Sequence, residues 1–198
     1  MMNTKDDVCN SIINFQEYLG EILSSYQINE AICDFFDNDI DKFKEYDHCL
    51  GYISVALKYR QRMLCYLLFF HDRESKSIPS VLNQISSNRV LEDKVQDKKL
   101  KNIACQVANE INKYRLDIKN LVEYRYDVYA HWNTNIFRES WQIQFQNDHP
   151  INYENLLLLC KKCFEYFEDM LMMMGEKSSA KSLIKPCAIN HFIDKLKK

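Results

Sequence analysis

The stretch LKNIACQVANEINKYRLDIKNLVEYRYDV, residues 100–128, sets Leu100, Ile103, Val107, Ile111, Tyr114, Ile118, Leu121 and Val128 at steps of three and four, apart from one place. Steps of that size put side chains on one face of an α-helix, and an apolar face of this length is one that packs on other helices. The exception is Arg125, which stands where an aliphatic residue is expected. Its charge is therefore directed toward a partner surface or a cleft rather than into a closed core.

The same period runs outward in both directions. Val8, Ile12, Phe15, Leu19 and Ile22 predict a helix over about 6–27, followed by a shorter apolar run, AICDFF, at 31–36. Phe43, Tyr46, Leu50, Ile53, Leu57, Arg60, Leu64, Leu67 and His71 predict the longest helix of the first half, with Arg60 and His71 paired or near solvent because an unpaired charge in a core is costly. HDRESKSIPS at 71–80 ends it, since Pro79 disfavours helical geometry at Ile78 but suits the first turn of the next helix, with Ser77 as its cap. A short helix, PSVLNQISS, follows, and then one long helix from about residue 92 into the stretch quoted above. Residues 134–150 have no sustained period and predict a loop. Asn152 precedes a last helix with the stripe Tyr153, Leu156, Cys160, Cys163, Phe167, Met170 and Met174, stopped by Gly175. A linker, EKSSAKS, leads to a small amphipathic tail.

Nowhere does a period of two outrun this pattern, so the predicted class is all-α with long helices. A chain of 198 residues fits one domain spanning 1–198, with a core over about 40–175, N-terminal helices over 6–36 and a C-terminal tail over 176–198. Three glycines and three prolines leave few helix breakers. A net charge of −2 excludes binding nucleic acid through bulk basic charge, so such a role needs a local basic cleft. The most apolar run, LCYLLFF at 64–70, is too short to span a bilayer, and no membrane partner is expected. The start MMNTKDDVCN lacks the build of a signal peptide, and the eight cysteines form no compact framework, which fits reduced thiols in a cytoplasm.

Three clusters invite a chemical reading and are better read as structure. Cys160 and Cys163 form the one C-x-x-C, but both lie on the last helical stripe, where a free cysteine behaves as a small hydrophobe. LMMMG at 171–175 suits adaptable packing at a helix end. Lys94, Lys98, Lys99 and Lys101 suit a solvated face. Phosphate-cradling glycine loops, G-x-S-x-G and H-E-x-x-H are all absent, and no metal or other cofactor is expected.

What remains is EYRYDVYAHWN, residues 123–133, where Arg125 and His131 sit six positions apart among aromatic residues. The segment reads two ways. In the first, Arg125 snorkels from a packed helix and His131 closes its C-terminal turn, where a cation is stabilised. In the second, the two residues form an acid/base and charge-stabilising pair for phosphoryl chemistry.

The segment resembles the R-x(4–6)-H signature of HEPN domains, the helical nucleotide- and RNA-acting domains of bacterial defence and toxin systems. HDRESKSIPSVLNQI upstream and PINYENLLLLCKKCFEYF downstream make the chain similar to the abortive-infection-associated branch of that family over most of residues 40–175. The resemblance implies a HEPN-like helical bundle that dimerises through the motif-bearing face, forming a composite ribonuclease site at which Arg125 and His131 are catalytic. It also implies RNA as substrate, a homodimer, and a cognate antitoxin protein as a partner. Many members have Asn, Asp or His directly after the arginine; here that residue is Tyr126 and the acid comes at Asp127. Where one branch has an adenylylated tyrosine two places after the histidine, this chain has Asn133, which leaves Asp127 and Asn133 as the supporting polar positions.

The residues themselves say what such a site would do. Metal-free cleavage of RNA needs a base for the 2′-hydroxyl, an acid for the departing 5′-oxygen and positive charge on the phosphorane-like transition state; histidine and arginine supply these. On a regular helix Arg125 and His131 stand about 120° apart and about 9 Å along the axis, too far to share one phosphate. Either the helix bends near Ala130 or two copies of the motif converge. Asp127, four residues before His131, is placed to hold one imidazole nitrogen and raise its pKa. Tyr126, Tyr129 and Trp132 are candidates for stacking on unpaired bases, or for packing. Two function classes stay open: a metal-independent endoribonuclease of a toxin–antitoxin or abortive-infection system, and a non-catalytic HEPN-like dimer that binds nucleotide, RNA or a partner protein.

Overall fold

A computed structural model describes residues 4–38, 40–70, 76–124, 147–148 and 150–176, apart from the side chains at 4, 42, 43 and 45. Among the described residues the chain forms six helices and no strand: α1 Thr4–Asn38, α2 Ile40–Phe69, α3 Ile78–Ser87, α4 Lys94–Lys113, α5 Arg115–Tyr124 and α6 Tyr153–Met173. The all-α expectation holds. None of these helices is long and apolar enough to cross a membrane.

The helix ends follow the expected chemistry in most places. Asp93 caps α4 by accepting from the backbone N–H groups of Val95 and Gln96, and Asn152 caps α6 by accepting from that of Asn155. Gly175 closes α6 with a φ of 82°, a left-handed conformation that glycine adopts without the steric cost of a Cβ. Pro79 lies in the first turn of α3 and Ser77 holds its N-cap position, yet the buried Ser77 hydroxyl makes no capping bond and has no partner among the described residues.

α1 packs along α2 and α6, α4 packs on α6, and α3 rests on α4 and α1. Val8, Ile12, Phe15, Leu19 and Ile22 enter one core with Leu68, Ile78, Leu100, Val107, Leu121, Leu159, Phe167 and Met170. The α6 stripe is buried from Leu156 to Met174 as predicted, while its first member, Tyr153, is 39 % exposed. Cys160 and Cys163 are both buried, with Cys160 Sγ 3.9 Å from Cys65 Sγ. The bond to Cys65 and burial push the Cys160 thiol well above its ordinary range, and burial does the same at Cys163. Such thiols are poor nucleophiles and poor ligands, so the packing reading stands. Met170 and Met174 are core residues as well, and Lys94, Lys98 and Lys99 are exposed.

Three expectations need correction. The helix over 6–27 and the run at 31–36 are parts of one helix, α1, which continues to Asn38. The long helix from residue 92 is interrupted at Tyr114, whose N–H bonds to Ile111 O at 3.1 Å in a tighter turn before α5 begins. Neither glycine nor proline stands there, and nothing in the sequence marks the break. On α2 the predicted stripe slips out of phase: Leu64 is buried, but so are Cys65, Leu68 and Phe69, while Leu67 is 52 % exposed. A repeat drawn at 3.5 residues drifts about 20° per heptad on a straight helix, so a stripe carried over four heptads ends on the wrong face. Arg60 is paired as expected, its Nη2 donating to Glu21 Oε2 at 2.6 Å on the surface. His71 lies outside the described residues, as does nearly all of the predicted loop and tail.

Candidate functional site

Arg125, Tyr126, Asp127, Tyr129, His131, Trp132 and Asn133 all lie outside the described residues. The structure does describe what holds the chain on either side of them. α5 ends at Tyr124, one residue before Arg125, and its polar side chains bond to α2 and to residues 150–155. Arg62 of α2 donates from Nη1 to Tyr124 Oη at 3.0 Å. On the far side, Asn120 donates from Nδ2 to Pro150 O at 2.6 Å, while Asp117 accepts from Asn152 N at 2.8 Å and from Asn155 Nδ2 at 3.1 Å. Tyr124 at the end of α5 is thus bonded to α2, and Pro150 and Asn152 are bonded to α5. Asp117, Asn120 and Tyr124 recur at three and four, so the sequence carries a polar stripe on this helix beside the apolar one, and that spacing is the signal from which the anchors could have been found.

Arg62 has a second role. Its guanidinium carbon lies 4.9 Å from the ring centroids of both Tyr124 and Tyr153, which joins α2, α5 and the start of α6 through cation–π contacts. It also forms part of the wall of a cavity of about 570 Å³ between α1, α2 and Tyr153. Tyr26, Asn29, Glu30 and Asp34 of α1 face Lys58, Gln61 and Arg62 of α2 across this space. A small recess of about 30 Å³ shares Tyr26, Gln61, Arg62 and Tyr153 and reaches Ile22 and Leu156 in the core. Burial, followed by its bond to Glu30, pushes the Tyr26 phenol above its ordinary range, so it is a neutral hydroxyl at pH 7.

The amides in this wall carry unused capacity. Asn29 Oδ1 and Gln61 Nε2 are buried and have no hydrogen-bond partner among the described residues. Buried polar groups of this kind are nearly always satisfied. No signal in the sequence points to them, because α1 and α2 bring them to one cavity from positions far apart in the chain.

Other polar clusters do structural work. Asp97 accepts from Val90 N at 2.8 Å and Leu91 N at 2.9 Å, which fastens the α3–α4 connection. Burial raises its carboxyl, but the Leu91 and Val90 N–H groups and Lys101 outweigh this and hold it below its usual value. Glu110 bridges Lys113 at 2.6 Å and Lys162 at 3.0 Å, linking α4 to α6. Among the described residues no group of three or more His, Cys, Asp or Glu is placed to hold a metal ion.

No family model, no curated protein and no solved structure matches this chain. The described residues therefore define a helical protein with a cavity between α1, α2 and Tyr153. Any closer assignment rests on the residues of the segment at 123–133.

Proposed function

We propose that the chain is a metal-independent endoribonuclease of a toxin–antitoxin or abortive-infection phage-defence system, acting as a HEPN-like homodimer. Two copies of Arg125 and His131 meet around one RNA phosphate. The main support is the sequence segment itself, in a chain whose described residues are helical, with Tyr124 bonded to Arg62 of α2 directly before Arg125.

In such a site one imidazole removes the 2′-hydroxyl proton and the 2′-oxygen attacks phosphorus. The bond to the 5′-oxygen breaks, and the second imidazole returns a proton to it. The two guanidinium forks neutralise the non-bridging oxygens. The products are a 2′,3′-cyclic phosphate and a 5′-hydroxyl. A symmetric pair supplies both histidines about one axis. The α6 stripe is consumed inside the subunit, so apolar surface for pairing comes from elsewhere, and α2 offers it at Tyr52, Val55 and Tyr59. A cognate antitoxin is the protein partner that this reading implies.

A second reading, a non-catalytic helical dimer that binds nucleotide, RNA or a partner protein, is favoured by one observation: the cavity between α1 and α2 needs no histidine to bind a ligand.

Cleavage assays separate the two. His131→Ala is expected to abolish RNA cleavage while circular dichroism and light scattering stay unchanged. Arg125→Lys is expected to be severely impaired although it keeps the charge, because lysine presents no planar fork. Cleavage should survive EDTA, and a mixture of the two dead variants should regain activity in heterodimers that retain one arginine and one histidine. If the wild type cuts no RNA and His131→Ala keeps its biological effect, the second reading replaces the first.

A further inference from the structure

We infer that Cys65 of α2 and Cys160 of α6 are the two halves of a redox-sensitive cross-link, which hydrogen peroxide closes to a disulfide tying α2 to α6 and a dithiol reductant opens again. The ribonuclease reading plays no part in this inference.

Three observations converge. First, the two sulfurs are already in contact, 3.9 Å apart, although the residues stand 95 positions apart in the chain. A disulfide has an S–S distance of about 2.05 Å, so closure takes about 1.9 Å, which two side-chain rotations can share. Second, Cys65 is reachable by a small solute. It lines the recess of about 30 Å³, which shares Tyr26, Gln61, Arg62 and Tyr153 with the larger cavity. That volume holds about two water-sized groups, enough for hydrogen peroxide and too little for a peptide disulfide. Third, the two sulfurs differ. Cys160 is fully buried and does not line the recess, and its bond to Cys65 together with burial holds its thiol well above the ordinary range. It keeps its proton and is inert to dissolved oxidants, so the chemistry starts at Cys65. The neighbouring Cys163 is buried as well but lines neither the recess nor the cavity.

The reaction balances in two steps. The Cys65 sulfur attacks one peroxide oxygen, the O–O bond breaks, and the thiol proton leaves with the other oxygen as water. Cys65 is now a sulfenic acid, oxidised by two electrons as the peroxide is reduced. The Cys160 sulfur then attacks the Cys65 sulfur, the S–O bond breaks, and the Cys160 proton leaves on the departing hydroxyl as a second water. Cys160 is a weak nucleophile, but it is held against its target, and proximity of this kind offsets low reactivity. The bond forms one helical turn from Arg62, whose guanidinium lies over Tyr124 and Tyr153, so it locks the joint of α2, α5 and α6.

The test uses the full chain, reduced, freed of reductant and treated at low protein concentration with a small excess of hydrogen peroxide. It is then denatured in N-ethylmaleimide and digested with trypsin. Cleavage after Arg62, Arg73, Arg138 and Lys161 puts Cys65 on peptide 63–73 and Cys160 on peptide 139–161, and the cuts at Lys161 and Lys162 part Cys160 from Cys163. Mass spectrometry is expected to find these two peptides joined, and dithiothreitol to separate them. The cross-linked chain should melt about 5–10 °C above the reduced one, because the bond closes a long loop of unfolded chain. In Cys160→Ala, dimedone should trap a sulfenic acid at Cys65, whereas in Cys65→Ala it should trap none at Cys160. Thermal melts establish that both variants fold, and where one does not, the peptide map of the native wild type decides alone. The inference is overturned if Cys65 and Cys160 both remain fully alkylated by N-ethylmaleimide while the exposed Cys33 is oxidised. Pairing of Cys65 with Cys163 or with a second molecule overturns it too, as does dimedone labelling of Cys160 in place of Cys65. A cross-linked chain that melts no higher than the reduced one overturns the lock.

Discussion

The two ends of the α1–α2 pair are held in different ways. At one end, the first half of α1 and the last turns of α2 are enclosed by α3, α4 and α6, and Val8, Ile12, Leu19 and Leu68 are fully buried among them. At the other end, among the described residues, Ile32, Phe35 and Leu50 form a separate small cluster between the two helices, while Tyr52 is 78 % and Val55 66 % exposed. The cavity lies where the two clusters fail to merge, lined by residues 26–34 and 58–62. Helical stability in a folded chain comes chiefly from packing of an apolar face rather than from propensity. Among the described residues this end has the smaller packed cluster, so it is expected to open before the other.

The largest expected effect breaks the comparison at its strong end. Phe167, 6.0 Å from Phe15 between ring centroids, sits in the main core, and Phe167→Ala should cost about 3–5 kcal/mol in urea denaturation. Phe35→Ala should cost less, because two helices can close on the gap, and native-state hydrogen exchange should show residues 28–59 opening before residues 8–22. Equal costs and uniform exchange would make the two ends one cooperative unit.

Asp97→Ala should follow at about 1–3 kcal/mol, since it strands the buried N–H groups of Val90 and Leu91. The sign of its pH dependence follows from its depressed pKa. The folded value lies below the ordinary 3.8, so this stabilisation is complete above about pH 5 and is lost as pH falls through the folded value. Asp97→Asn should flatten the acid limb of the stability curve, and a limb that stays as steep would remove Asp97 as its cause. Asp93→Ala, which deletes the α4 cap, should cost about 1 kcal/mol by the same measurement.

The smallest effect sharpens the weak end. Val55→Ser should change subunit stability by no more than about 0.5 kcal/mol, as at other exposed sites. If α2 pairs two subunits, the same change should raise the dimer dissociation constant, visible as concentration-dependent light scattering.

Much of this architecture is legible in the residues. The three-four period establishes the helical class, the α6 stripe from Leu156 to Met174 predicts much of its buried face, though not Leu159, Phe164 and Leu171, and Asn152, Pro79 and Gly175 mark helix boundaries through local backbone chemistry. Arg60 on an apolar stripe demands a partner, although nothing local identifies that partner as Glu21. The phase of α2 does not follow from its spacing, because a periodic pattern carries no absolute angle over so many turns, and the break at Tyr114 has no local marker.

The candidate site divides along the same line. Arg125 and His131 stand out in the sequence because their chemistry and spacing are properties of a continuous segment. Arg62, Asn29 and Gln61 do not, since each becomes notable only through neighbours distant in sequence. What the sequence by itself determined is the helical class and the core face of the first half of α1 and most of that of α6, consequences of interactions within a few residues. What only tertiary structure decided is the phase of α2, the pairing of Arg60 with Glu21 and which residues of α1 and α2 line a shared cavity, because these depend on how helices pack, and packing is a property of pairs that no local pattern encodes.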